Sequence, residues 1–131
     1  MSDVRDPHTD QVAPIPNDRE GVHDVLIREV TEAVGDEVDD ITQDLIDELL
    51  ARKELGLSKY GTLLQPFNGR DFLRDILDEA IDGLAYVRGA LQEAHERKAA
   101  PDSGEVRLLE EVAEGFADAT YAVLTLRRMS L

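Results

Sequence analysis

Cysteine is absent from the 131-residue chain, which excludes a disulfide framework, a thiolate nucleophile and a Cys-type zinc site. A reducing compartment is the resulting expectation. No apolar run approaches the roughly 20 residues needed to cross a bilayer. The first residues, Met1-Ser2-Asp3-Val4-Arg5-Asp6-Pro7, lack a basic region followed by an apolar stretch, so no secretory signal is expected. Histidine is sparse as well: His8, His23 and His95 are scattered singly, a pattern of solvated side chains rather than metal ligands. Positive charge is also scarce, 14 basic against 29 acidic residues. The net charge of −15 disfavours direct binding to nucleic acid or to an anionic membrane. An acidic surface of this kind has two common explanations: it simply keeps a small protein soluble, or it attracts Mg²⁺ or a basic patch on another protein, and charge by itself does not choose between them.

What the chain does contain is apolar periodicity, with apolar residues making up 42% of it, enough for a globular core of one domain. Prolines 7, 14 and 16 mark an extended polar tail, expected to be flexible through residue 17, with a single helical domain over 18–131. Asn17 followed by Glu20 is a helix-start signal, and a first helix is expected from about residue 19 to Val34, where Gly35 stops it. Asp36 offers a cap for a second helix, whose stripe Val38, Ile41, Leu45 and Leu49 should be buried and whose end is expected at Gly56. A turn-rich connection spans Leu57 to Gly69. The third helix is expected to begin at Asn68 or Gly69 and to carry the stripe Leu73, Leu77, Ala80, Leu84, Val87 and Leu91. After the loop 100–104, a fourth helix from near Glu105 carries Leu109, Val112, Phe116, Ala119, Val123 and Leu126. No stretch alternates as a strand would. The expected fold is an all-α, four-helix bundle behind a disordered tail.

Three of these helices carry dense carboxylates: Asp44, Asp47 and Glu48 on the second; Asp75, Asp78, Glu79 and Asp82 on the third; Glu110, Glu111, Glu114 and Asp118 on the fourth. Spacings of three and four stack such groups on one face, where like charges repel. Mg²⁺ relieves that repulsion, because it takes one or two carboxylates and fills its shell with substrate phosphates. The plainer reading is a solvated face, since Asp75, Asp78 and Asp82 lie opposite the third helix's apolar stripe, as Glu111, Glu114 and Asp118 do in the fourth. Glu48 and Glu79 sit nearer the stripe edges. Arg52, Lys53, Lys59 and Arg70 gather around the connection between helices two and three. They either hold phosphates, Arg70 with the N-terminal amides of helix three, or pair with exposed acids. Tyr60 and Phe67 either stack on a base or pin the loop to the core.

The run Leu49-Leu50-Ala51-Arg52-Lys53-Glu54-Leu55-Gly56-Leu57-Ser58-Lys59-Tyr60-Gly61-Thr62-Leu63-Leu64-Gln65-Pro66-Phe67-Asn68-Gly69-Arg70-Asp71, followed by Asp78-Glu79-Ala80-Ile81-Asp82, resembles small actinobacterial and actinophage proteins of the MazG-like, all-α nucleoside triphosphate pyrophosphohydrolase superfamily. The resemblance is most specific over about residues 44–92. It implies a MazG-like bundle that cleaves a nucleotide to monophosphate and pyrophosphate with Mg²⁺ as cofactor, assembles as a homodimer or tetramer, and works in a bacterial or phage-infected cytosol. The superfamily's E-x-x-D motif maps onto Glu79 and Asp82. Its E-E-x-x-E motif has no clean match: Asp44, Asp47 and Glu48 supply acids without the pattern. Alternatively, Asp78, Glu79 and Asp82 stand for the first motif and Glu111 and Glu114 for the second. The metal set implied is Asp44, Glu48, Asp75, Glu79 and Asp82, with Glu48 and Glu79 catalytic. Arg52, Lys59, Tyr60, Asn68 and Arg70 are expected to bind substrate. Two other functions fit the same residues: a nucleotide-sequestering relative without catalysis, and an acidic nucleic-acid mimic that binds a basic protein.

Overall fold

A computed structural model describes residues 11–129, so residues 1–10 of the expected tail, His8 among them, lie outside the described chain. Four helices make up the regular structure: α1 (Val22–Val34), α2 (Asp40–Tyr60), α3 (Phe72–Glu96) and α4 (Gly104–Arg128). The all-α class expected from the periodicity is therefore observed, with no strand among the described residues. The described chain divides into two compact units, 11–70 and 71 onward.

In the first unit, α1 packs on α2. Lys53 Nζ reaches Asp24 Oδ1 at 2.8 Å, so α2 turns toward α1 the flank that carries Lys53 with half-buried Thr42, Ile46 and Leu49. The stripe expected to be buried lies mostly elsewhere. Val38 and Leu45 are exposed, Ile41 is 81% exposed, and only Leu49 is half-buried. Periodicity had located an apolar flank without saying what covers it.

Cap chemistry explains the shifted helix ends. Asp39, rather than Asp36, caps α2, its carboxylate accepting from the Thr42 amide at 2.7 Å. That hydrogen bond holds the Asp39 carboxyl below its ordinary range. The helix continues through Gly56, since an interior glycine costs only about 1 kcal/mol, and stops at Gly61, whose left-handed φ of 73° suits a residue without Cβ. Asn17 accepts from the Arg19 amide at 2.8 Å, but α1 starts later, with Gly21 as a cap that has no side chain to offer.

Residues 11–17, assigned to the tail from sequence, run extended and are hydrogen-bonded to the connection after α2. Ile15 N donates to Asn68 O at 2.9 Å. Buried Gln65 accepts from Asn17 N at 3.0 Å and donates to the carbonyls of Asn17 and Arg19 at 2.8 and 2.6 Å. Asn17 Nδ2 donates to Pro66 O at 2.8 Å, and Arg70 Nη1 to Val12 O at 3.1 Å. Prolines 14 and 16 favour an extended backbone that leaves such groups free to pair across a gap in sequence.

The second unit is an antiparallel hairpin of α3 and α4. Asp71 caps α3, accepting from Arg74 N at 3.0 Å, and Ser103 caps α4, accepting from Val106 N at 3.3 Å. Arg127 near the end of α4 lies 3.2 Å from Asp71 at the start of α3, and Arg97 pairs with Glu105 across the turn. Leu77, Ala80 and Val87 from the expected α3 stripe are buried, as are Ala94 and, on α4, Val123. Small residues let the helices approach closely. At Gly83 an added Cβ would stand 2.4 Å from Phe116 Cε1.

Candidate functional site

The densest titratable feature of the second unit is one flank of α3. Asp71, Asp75, Asp78, Glu79 and Asp82 follow at steps of four, three, one and three. At about 100° per residue these stay within roughly a third of the helix circumference, well round from the Leu77–Ala80–Val87 seam. They are not equivalent. Glu79 and Asp82 are exposed, Asp75 is half-buried, and Asp78 is buried, 6% exposed.

Arg74, one turn before Asp78, donates from Nη2 to its Oδ1 at 2.7 Å. The other carboxylate oxygen, Oδ2, is buried with no hydrogen-bond partner among the described residues. A buried acceptor left unmade costs on the order of 1–3 kcal/mol, more when charged. Among the described residues of the flank, this oxygen is a buried acceptor whose chemistry asks for a further ligand. Sequence reading had placed Asp78 on the solvated face, and only the fold reveals its burial. Asp71 is occupied in capping, and the Arg74 amide and then Arg127 hold its carboxyl below the ordinary carboxylate range.

The remaining expected residues fall as follows. Glu111, Glu114 and Asp118 on α4 are exposed, on the flank opposite Phe116 and Val123, so the fold does not bring them to the α3 carboxylates. Asp44 and Glu48 are exposed on α2, in the other unit, together with Arg52. Lys59 and Tyr60 are the last two residues of α2, with Lys59 Nζ 5.1 Å from the Tyr60 ring centroid. Lys53 is engaged by Asp24. Arg70 precedes α3 instead of lying in its first turn, and the Arg74 amide of that turn is met by the Asp71 carboxylate. Asn68 lies inside the connection, 1% exposed, with Oδ1 accepting from Arg70 N at 3.0 Å. Among the described residues no three His, Asp or Glu side chains converge to hold one ion.

Phe67 departs from one of its two sequence expectations, that of pinning the loop. It is 79% exposed and held at a left-handed φ of 57°, a conformation disfavoured for a bulky side chain. The Arg19 guanidinium lies 5.0 Å from its ring centroid. Phe67 therefore does not pin the loop to a core. Buried Gln65 and Asn68 hold the connection instead, and no signal in the sequence distinguished them from ordinary loop amides.

Neither a protein-family model, a curated protein nor a solved structure matches this chain. Among the described residues no helix is long and apolar enough to cross a membrane.

Proposed function

We propose that the protein is a Mg²⁺-dependent nucleotide pyrophosphohydrolase that uses the carboxylate flank of α3. The observation that carries this reading is the Oδ2 of Asp78, buried and without a partner among the described residues, on the flank that also bears Asp75, Glu79 and Asp82. Hard carboxylate oxygens on one helical flank suit Mg²⁺, and a nucleotide brings phosphate oxygens of its own, so two protein carboxylates are enough. The lack of a three-carboxylate cluster among the described residues is compatible with such a shell. When bound, the ion would neutralise phosphate charge and make a water easier to deprotonate.

In this reading Glu79 and Asp82, one helical turn apart, would hold the ion directly, and Asp78, its carboxylate oriented by Arg74, would accept from a water that the ion carries. Asp75 strengthens the negative field. Glu79 also takes the proton from the attacking water as its oxygen bonds to the α-phosphorus. The bond from that phosphorus to the bridging oxygen breaks, releasing monophosphate and pyrophosphate. Assembly as a homo-oligomer is implied by the sequence resemblance alone and is independent of the α3 carboxylates.

A nucleotide panel assayed for binding and for pyrophosphate release, with and without Mg²⁺, tests the reading. Metal-dependent binding without turnover identifies a sequestering protein. Absence of both refutes the nucleotide reading. It then favours an acidic surface for a basic partner, for which the exposed Glu111, Glu114 and Asp118 of α4 supply the specific feature.

A further inference from the structure

Helix α2 leaves an apolar seam in solvent: Ile41 is 81% exposed, Leu55 57% and Leu45 46%. At about 100° per residue these three share one flank with Glu48, Arg52 and Lys59, roughly a third of a turn round from Lys53, which faces α1. Along the helix the seam reads Ile41, Leu45, Glu48, Arg52, Leu55, Lys59, at steps of four, three, four, three and four. The steps are the same in either direction.

The chemistry is self-complementary too. A two-fold axis crossing the helix at residue 50 sets Leu45 opposite Leu55, Glu48 opposite Arg52, and Ile41 against the aliphatic stem of Lys59. The N-terminal half of α2 holds Asp40, Asp44, Asp47 and Glu48 with no base, and the C-terminal half holds Arg52, Lys53 and Lys59 with one acid, Glu54. Antiparallel pairing lays the acidic half of one helix on the basic half of the other and aligns the helix dipoles favourably. Parallel pairing would set Glu48 on Glu48 and Arg52 on Arg52.

We propose that this seam is an interface with a second copy of the chain, in which two α2 helices pack antiparallel about residue 50. Two-fold interfaces require such self-complementarity, residue i meeting j while j meets i. The charge pairing also explains how a chain of net charge −15 associates with itself: the local field at the seam is mixed in sign. From Ile41 to Lys59 the seam is about 27 Å long, a modest contact, and the dimer is concentration-dependent. No residue of α3 takes part, so the pairing and the carboxylate reading stand or fall separately.

Sedimentation velocity of the full chain over a dilution series should show mass moving between 14.6 kDa and twice that value. A monomer at every concentration overturns the proposal, including the case in which the chain's other unit covers the seam. Glu48→Arg and Arg52→Glu should each weaken the dimer by about tenfold or more, and the double swap should restore most of the affinity. Single swaps that leave the equilibrium unchanged, in variants with unaltered helical content, overturn it as well. The orientation is tested by cysteines placed in a chain that has none. A mixture of Leu45→Cys and Leu55→Cys proteins should form the mixed disulfide on oxidation. Efficient crosslinking of Leu45→Cys to itself refutes the antiparallel register.

Discussion

Replacing Gly83 with alanine adds one methyl group where α3 meets α4, and its effect separates packing from helix propensity. The new Cβ would lie 2.4, 2.5 and 2.6 Å from Cε1, Cδ1 and Cζ of Phe116. Favourable carbon contacts are about 3.5–4.0 Å, so the ring or the helix must move by about 1 Å. Overpacking of that kind costs typically about 1–3 kcal/mol, whereas alanine for glycine in a helix interior contributes about 1 kcal/mol. The net expectation for Gly83→Ala is a loss of about 1 kcal/mol. Gly89 and Gly115, also interior to α3 and α4, meet nothing within 4 Å, so alanine there should stabilise by about 0.5–1 kcal/mol. Urea unfolding followed by circular dichroism measures all three. Shrinking the ring with Phe116→Leu should turn Gly83→Ala from harmful to neutral or stabilising, the coupling expected of residues in contact. If Gly83→Ala stabilises as much as Gly89→Ala in the otherwise unchanged chain, the α3–α4 packing described here is wrong.

The capping acid of α3 makes stability depend on pH. Because the Asp71 carboxyl is held below its ordinary value in the folded chain, its contribution is complete above the unfolded carboxylate pKa of about 3.9. That contribution is lost as pH falls through the lower folded value. Asp71→Asn keeps a capping acceptor and should flatten the acid limb of a stability–pH curve; an unchanged limb refutes the assignment. Gln65→Ala should free residues 11–17, since it removes three hydrogen bonds to Asn17 and Arg19. Limited proteolysis should then cut in that stretch sooner than in the unsubstituted chain, and an unchanged cutting rate would show that the other bonds suffice.

The α3–α4 hairpin was legible in the sequence because both helices repeat apolar residues at three and four and find each other across one short loop. Leu77, Ala80, Val87 and Val123 are buried as the periodicity predicts. Helix α2 shows the limit of the same signal. Ile41 and Leu45 repeat correctly and stay exposed, because periodicity gives an apolar flank and not its partner. Helix ends depended on competing caps: Asp36 against Asp39, Gly56 against Gly61, Asn68 against Asp71. Each pair has similar propensity; in the last, Asn68 is buried within the connection and Asp71 caps α3. For the candidate site, the carboxylate steps on α3 were readable, but the feature that singles out Asp78 is burial of one oxygen, which depends on the folded environment and leaves no mark in spacing.

Turnover by a Glu79→Gln protein tests the central claim most directly. Pyrophosphate release from a nucleotide panel and Mg²⁺ affinity should be measured on one preparation, alongside its melting temperature. Losing one hard anionic ligand and the proton acceptor should abolish metal-dependent release, with the fold intact. Full activity in a well-folded Glu79→Gln protein would contradict the account and remove the α3 flank as the site.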